Sequence, residues 1–173
     1  MAEDHHYSVS VAGVIVDDEG RALIIQRRDN GHWEPPGGIL EHGETIEAGL
    51  RREVYEETGL KIGVGPLTGV YKNLQRHVVA LVFLCQPTAG EIRANAEVVA
   101  LRWADRAELQ RRMAPAYAIR VIDAITFQAQ AAIRAHDGTR VIDSPATTDP
   151  PTDPGRLLQG QADWFDLNSP PVR

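Results

Sequence analysis

One stretch constrains this chain more than any other: Gly38 to Leu60, GILEHGETIEAGLRREVYEETGL. Within it Glu53, Glu56 and Glu57 stand at i, i+3 and i+4, so a helix projects all three carboxylates from one face. Three like charges so close repel, and a hard divalent cation with oxygen ligands is their natural neutraliser. Arg52 lies four residues before Glu56 and can pair with it. Thr45 is placed to cap the helix start, Glu47 suits its first turn, and Gly59 is a left-handed stop. Ile46, Leu50 and Val54 recur every four residues as an apolar stripe away from the acids. Pro35, Pro36, Gly37 and Gly38 precede the helix as a rigid turn followed by a permissive one, where backbone can approach a ligand closely.

The stretch resembles the Nudix box: Gly, five residues, Glu, seven residues, Arg-Glu, an apolar residue, any residue, Glu-Glu, any residue, Gly, an apolar residue. Gly38, Glu44, Arg52, Glu53, Val54, Glu56, Glu57, Gly59 and Leu60 fill every fixed position. A looser resemblance to the family runs from about Tyr7 to Ile133. An exposed acidic helix with weak surface ion pairs would account for the carboxylates. It would account for neither Glu44 nor the Pro-Gly-Gly turn.

The order of elements around the box reads as α/β. Tyr7–Val16 and Arg21–Arg28 read as strands joined in a hairpin by the Asp17–Gly20 turn. Arg27 and Arg28 then end a strand, one side chain facing the site and the other solvent, with Arg27 the expected phosphate contact. Trp33 reads as packing beneath the glycine turn. Lys61–Lys72 reads as an irregular strand or two short ones, and His77–Gln86, apolar on both faces, as a central strand ended by Pro87–Gly90. Glu97–Trp103 is a further strand, Asp105 caps a helix over Arg106–Arg112, and Pro115 opens a longer helix over Ala116–Ala135. The expected domain is 1–136. Residues 137–173 read as a Pro-rich tail, holding six of the eleven prolines between Pro145 and Pro171. Trp164 and Phe165 are odd choices for a solvated tail. Two readings stand: WFDL docks, on its own domain or on a neighbouring subunit as in a homodimer, or the segment is a floppy end. The resemblance implies a Nudix-type α/β/α sandwich with a mixed β-sheet, the box forming a loop–helix–loop at one edge.

Net charge −6 and a pI near 5.5 leave no basic footprint for a nucleic-acid polymer. No apolar run approaches the roughly 18–20 residues of a membrane span. The start, MAEDHHYS, lacks the apolar region of a signal peptide. The single cysteine, Cys85, sits in the apolar run VVALVFLC and reads as a buried thiol in a reducing compartment, so a cytoplasmic location is expected.

The resemblance implies metal-dependent hydrolysis of a nucleoside diphosphate linked to another moiety. It implies Mg²⁺, with Mn²⁺ as an alternative, held by Glu53, Glu56, Glu57 and the Gly37 carbonyl. Arg52 would orient the carboxylates, Glu44 would tune the cluster or act as base, and Gly38 and Arg27 would contact substrate. Glu97 is the best-placed acid on a later loop, where relatives often keep a base. Ala100 stands where many carry a further acid, so the base assignment stays open, with Glu34, Glu41 and His42 nearby. No substrate-marker string follows the box. A MutT-type nucleoside triphosphate pyrophosphohydrolase leads by default, with an ADP-ribose or sugar-nucleotide pyrophosphatase as the alternative. A non-catalytic nucleotide sensor is the alternative of another class, although such proteins commonly lose box acids and this chain keeps them all.

Overall fold

The computed structural model describes residues 6–142. Strand β1, Ser8–Ile15, is the hub, and its alternation sends side chains to two opposite cores. Val11 and Ile15 join Leu23, Leu50, Val54, Leu60, Ile62 and Cys85 in one, while Ala12 and Val14 join Ile24, Tyr71, Val82, Leu109 and Val121 in the other.

Along the chain follow β2 (Ala22–Arg27), β3 (Trp33–Glu34), β4 (Gly37–Ile39), α1 (Ile46–Thr58), β5 (Leu60–Asn73), β6 (Val78–Gly90) and β7 (Val98–Ala104). Then come α2 (Arg106–Arg112), α3 (Pro115–Ile125), β8 (Ala132–His136) and β9 (Val141–Ile142). The strands form a six-stranded sheet in the order β4-β1-β6-β5-β8-β9 and a three-stranded sheet in the order β3-β2-β7. The large sheet is mixed. β1 runs parallel to β6 and β5 parallel to β8, while β1–β4, β5–β6 and β8–β9 are antiparallel. Helix α1 packs on one face of this sheet and α3 on the other, so the α/β sandwich with a mixed sheet is the fold observed.

Helix α1 has the expected ends. Thr45 accepts a hydrogen bond from the Ala48 amide, and Gly59 at φ 77° donates to the Tyr55 carbonyl. Leu50 and Val54 are fully buried, each worth roughly 1.5–3 kcal/mol of apolar burial, whereas Ile46 is 44% exposed. The stripe is therefore narrower than the spacing predicts. The N-terminal turn of α1 overhangs the sheet.

Three expectations are corrected. β1 and β2 do not form a hairpin: only the Val16–Ala22 bridge joins them, and β2 pairs with β7 in the second sheet. The Asp17 turn is real, its carboxylate accepting from the Glu19 and Arg21 amides, but it turns the chain from one sheet into the other. The helix from Pro115 stops at Ile125. Residues 132–136 instead extend as β8 beside β5, with Ile133 86% exposed. Pro87–Gly90 does not end β6. The strand runs through Pro87, tolerated because the β5 register shifts opposite it, between Lys61 and Ile62. β5 is one strand of 14 residues with three such shifts.

β9 lies beyond the expected boundary at 136. The docking segment at Trp164 and Phe165 falls outside the described residues. Among the described residues no helix is long and apolar enough to cross a membrane.

Candidate active site

β4 brings the glycine turn against α1. Gly37 and Gly38 pair with Ala12 and Val11 of β1. A Cβ on Gly37 would lie 2.0 Å from the Val11 carbonyl oxygen, so no side chain fits there. A Cβ on Gly38 would lie 2.4–2.5 Å from the carboxyl group of Glu53. Glycine at 38 is what lets that carboxylate lie against the backbone.

Glu57 is 2% exposed, and its Oε2 accepts from the Gly37 amide at 2.7 Å. Its Oε1 lies 3.8 Å from the Arg27 guanidinium. Burial pushes its carboxyl up to about 8, against the pull of the Gly37 amide, with Glu34 and Glu53 adding to the rise. Burial likewise raises Glu53, offset in part by Arg52, while Glu56 and Glu97 oppose its ionisation. Both acids thus resist ionisation, and a further positive charge beside them would favour their charged forms.

Arg52 is the hub of the polar network. It donates to both oxygens of Glu44 at 2.8 and 3.1 Å, to Glu53 at 2.9 Å and to Glu56 at 3.3 Å. Glu44 also accepts from the Glu41 amide at 2.7 Å. The Arg52 hydrogen bonds hold its carboxyl below the usual range. Both Glu44 oxygens are committed, which suits an orienting role better than that of a base. Glu56 is the outermost of the three acids, with its side chain 56% exposed.

Arg27 rather than Arg28 faces the cluster. Its guanidinium meets Asp29 at 3.0 Å and Glu34 at 3.3 Å as well as Glu57. Arg28 turns away to the Ala96 carbonyl. Trp33 packs against the α3-side core, with the Arg112 guanidinium over its ring. Glu97 is exposed yet close enough for its charge to be felt at Glu53. His42 and Glu41 are exposed in the loop before α1.

Sequence reasoning missed Asn95. Its side-chain amide donates to the Glu56 carbonyl at 2.6 Å, and its oxygen accepts from the Glu97 and Val98 amides. That ties the loop bearing Glu97 to the end of α1. The signal was an Asn two residues before the acid, a residue type that bonds its own backbone two residues on. Also missed were Arg76, Tyr117 and Arg120, which line a cavity beside the glycine turn.

Among the described residues no three His, Cys, Asp or Glu side chains converge at ligand spacing, because Glu53 is turned to Arg52 and Glu57 to the Gly37 amide. The donor set nonetheless fits a hard divalent cation: all oxygen, with Glu57 buried, Glu53 partly buried and both carboxyls raised by burial.

The sequence matches the NUDIX domain profile over residues 6–125. A MutT-like protein of Streptomyces ambofaciens is 52% identical over 136 residues, spanning 79% of this chain and 88% of that protein. An ADP-ribose pyrophosphatase of Methanocaldococcus jannaschii is 40% identical over 97 residues, 52% of this chain and 57% of that one. Among solved structures, an ADP-ribose pyrophosphatase of Streptococcus suis superposes with a TM-score of 0.64 at 20% identity, covering 76% of this chain and all of that one. This last likeness concerns the fold alone. With the profile spanning most of the chain and a relative of such identity along nearly its whole length, the chain belongs to the Nudix family of hydrolases.

Proposed function

We propose that the chain is a metal-dependent, MutT-like pyrophosphohydrolase that cleaves a phosphoanhydride bond of a nucleoside triphosphate. The observation that carries this is the pair of acids, Glu57 buried and Glu53 partly buried, packed against Gly37 and Gly38 beside the Arg52 network. The 52% identical relative described as MutT-like supports the choice of substrate. The 40% identical relative described as an ADP-ribose pyrophosphatase favours a second reading, hydrolysis of ADP-ribose or a sugar nucleotide.

In this reading Glu53, Glu56, Glu57 and the Gly37 carbonyl hold Mg²⁺ or Mn²⁺. Bound there, the metal supplies charge neutralisation of the diphosphate and acidification of a water. The chain's own groups do the rest. Arg52, itself fixed by Glu44, orients Glu53 and Glu56. Arg27 offers a cation to the phosphate at the mouth of the site, beside the backbone of Gly37 and Gly38. Glu97, solvated and near Glu53, is the acid available to take a proton from the attacking water. The single cysteine, buried and unpaired, fits a cytoplasmic setting.

The test is incubation with Mg²⁺ and a panel of nucleoside triphosphates, ADP-ribose and sugar nucleotides, reading released nucleoside monophosphate together with phosphate and pyrophosphate. Turnover of a triphosphate with pyrophosphate release is expected. Turnover of ADP-ribose alone would select the second reading, and binding without any turnover would mark a sensor. Glu57→Gln keeps the shape and removes one charge, so it should cut turnover at least about 100-fold while the folded protein persists. Full activity in that variant would remove Glu57 from the metal site.

A further inference from the structure

A cavity of about 250 Å³ opens beside the box and is lined in part by Arg27, Gly37 and Gly38 of the candidate site. Its other walls include Tyr117 and Arg120 of α3 and Asn73 and Arg76 of the β5–β6 turn.

Arg120 is 8% exposed. Its guanidinium lies between two rings, 4.7 Å from the Tyr117 centroid and 5.5 Å from that of Tyr71. It meets the His136 Nε2 at 2.7 Å, and its Nε has no hydrogen-bond partner. The two carboxylates of the cavity, Asp29 and Glu34, are both engaged by Arg27. Among the described residues neither Arg120 nor Arg76 has a carboxylate within 4.0 Å. The backbone at Arg76 is held in place. The buried Asn73 oxygen accepts from the Gln75 and Arg76 amides at 3.1 and 3.0 Å, which fixes the turn.

A buried guanidinium with no carboxylate in ion-pair contact is costly, and Glu34, the acid whose charge is felt at Arg120, is itself held by Arg27. The rings on either side hold the guanidinium plane without consuming its charge. The missing partner is then an anion brought from outside. We propose that Arg120 and Arg76 hold a second anionic oxo group of the substrate, outside the carboxylate cluster, and so select substrates by the charge they carry beyond the scissile diphosphate. This rests on the nucleotide-hydrolase reading above and extends it to the choice of substrate.

The test is equilibrium binding by calorimetry on the full chain in EDTA, where turnover is barred. Three matched pairs each differ by one anionic group: GTP and GDP, NADPH and NADH, UDP-glucuronate and UDP-glucose. Wild type is expected to bind the more anionic member of at least one pair about tenfold tighter or more, the scale of one charge-assisted contact. Arg76→Gln, on an exposed turn, should bring that ratio within about threefold, and Arg76→Lys should retain part of it. Arg120→Gln should act likewise where it folds. Ratios within twofold for all three pairs in wild type would overturn the proposal, as would a preference that survives Arg76→Gln. Inorganic phosphate is the control for source: if it saturates the site while the pairs stay undistinguished, the anion is free phosphate and not part of the substrate. The hydrolase reading fails separately, if Mg²⁺ supports no turnover while the pair preference persists.

Discussion

The two glycines of β4 make opposite demands, and replacing each by alanine separates function from fold. At Gly38 the three atoms nearest the new methyl all belong to the carboxyl end of Glu53, at 2.4–2.5 Å. That group sits on a flexible side chain and can swing aside, so the cost to stability should stay below about 1 kcal/mol, a few degrees in melting temperature for a domain of this size. The cost to activity should be far larger. Glu53 would leave the backbone and lose its 2.9 Å contact with Arg52, and a displacement of about 1 Å in a catalytic group can remove about 100-fold in rate. At Gly37 the methyl meets the Val11 carbonyl at 2.0 Å and the Ala12 Cα at 2.6 Å, backbone atoms of the hub strand that cannot yield. There the expected loss is about 3 kcal/mol or more. The assay pairs thermal melts with Mg²⁺-dependent turnover of the best substrate from the panel, including the Mg²⁺ midpoint, which should rise in Gly38→Ala. Two results would refute the reasoning: Gly38→Ala active within threefold of wild type, or a melting loss in Gly38→Ala as large as that in Gly37→Ala.

Two further outcomes rest on buried titratable groups. His136 is 1% exposed, with the Gly138 amide on Nδ1 and Arg120 on Nε2, so burial first and the Arg120 charge second press its value down to about 4. The unfolded imidazole binds a proton near pH 6.5 while the folded one does not. Stability is therefore full above that value and falls as pH drops towards 4, by about 2 kcal/mol at pH 5. Urea melts at pH 7 and 5 should show this, and His136→Gln should shrink the difference; an unchanged slope would refute the assignment. Cys85 is buried with its thiol pushed up to about 12, so it should resist iodoacetamide in the native state and react once unfolded. Rapid native labelling would contradict the packing.

Helix α1 and its caps were legible because everything that fixes them is local: Thr45, Gly59, the Leu50–Val54 stripe and the spacing of the acids. The placement of β2 was not. A tight Asp17 turn between two apolar strands reads as a hairpin, yet the partner that wins for β2 is β7, more than 70 positions along the chain. The run QAQAAIRAH has helical propensity, which is a weak preference that strand pairing overrides. Here β5 offers an open parallel edge, and Arg134 reaches both oxygens of Asp123 on α3 at 2.7 and 2.8 Å. In the site, the box acids were readable by spacing. Arg76, Tyr117 and Arg120 were not, because they reach one cavity from separate elements.

The binding of the 91–97 loop to α1 has a mechanical consequence. Asn95 bonds the Glu56 carbonyl, the Arg93 amide donates to the Thr58 carbonyl, and the Arg93 guanidinium reaches Tyr55. The loop and the helix move as one body, and Glu97 cannot swing without breaking bonds at the helix end. Any breathing of the mouth that admits substrate falls to the opposite lip, the Asp29–His32 turn. A loop graft that exchanged 91–97 for a longer segment would disturb the spacing of the acids, whereas one at 29–32 would leave that spacing in place and release Arg27 from Asp29.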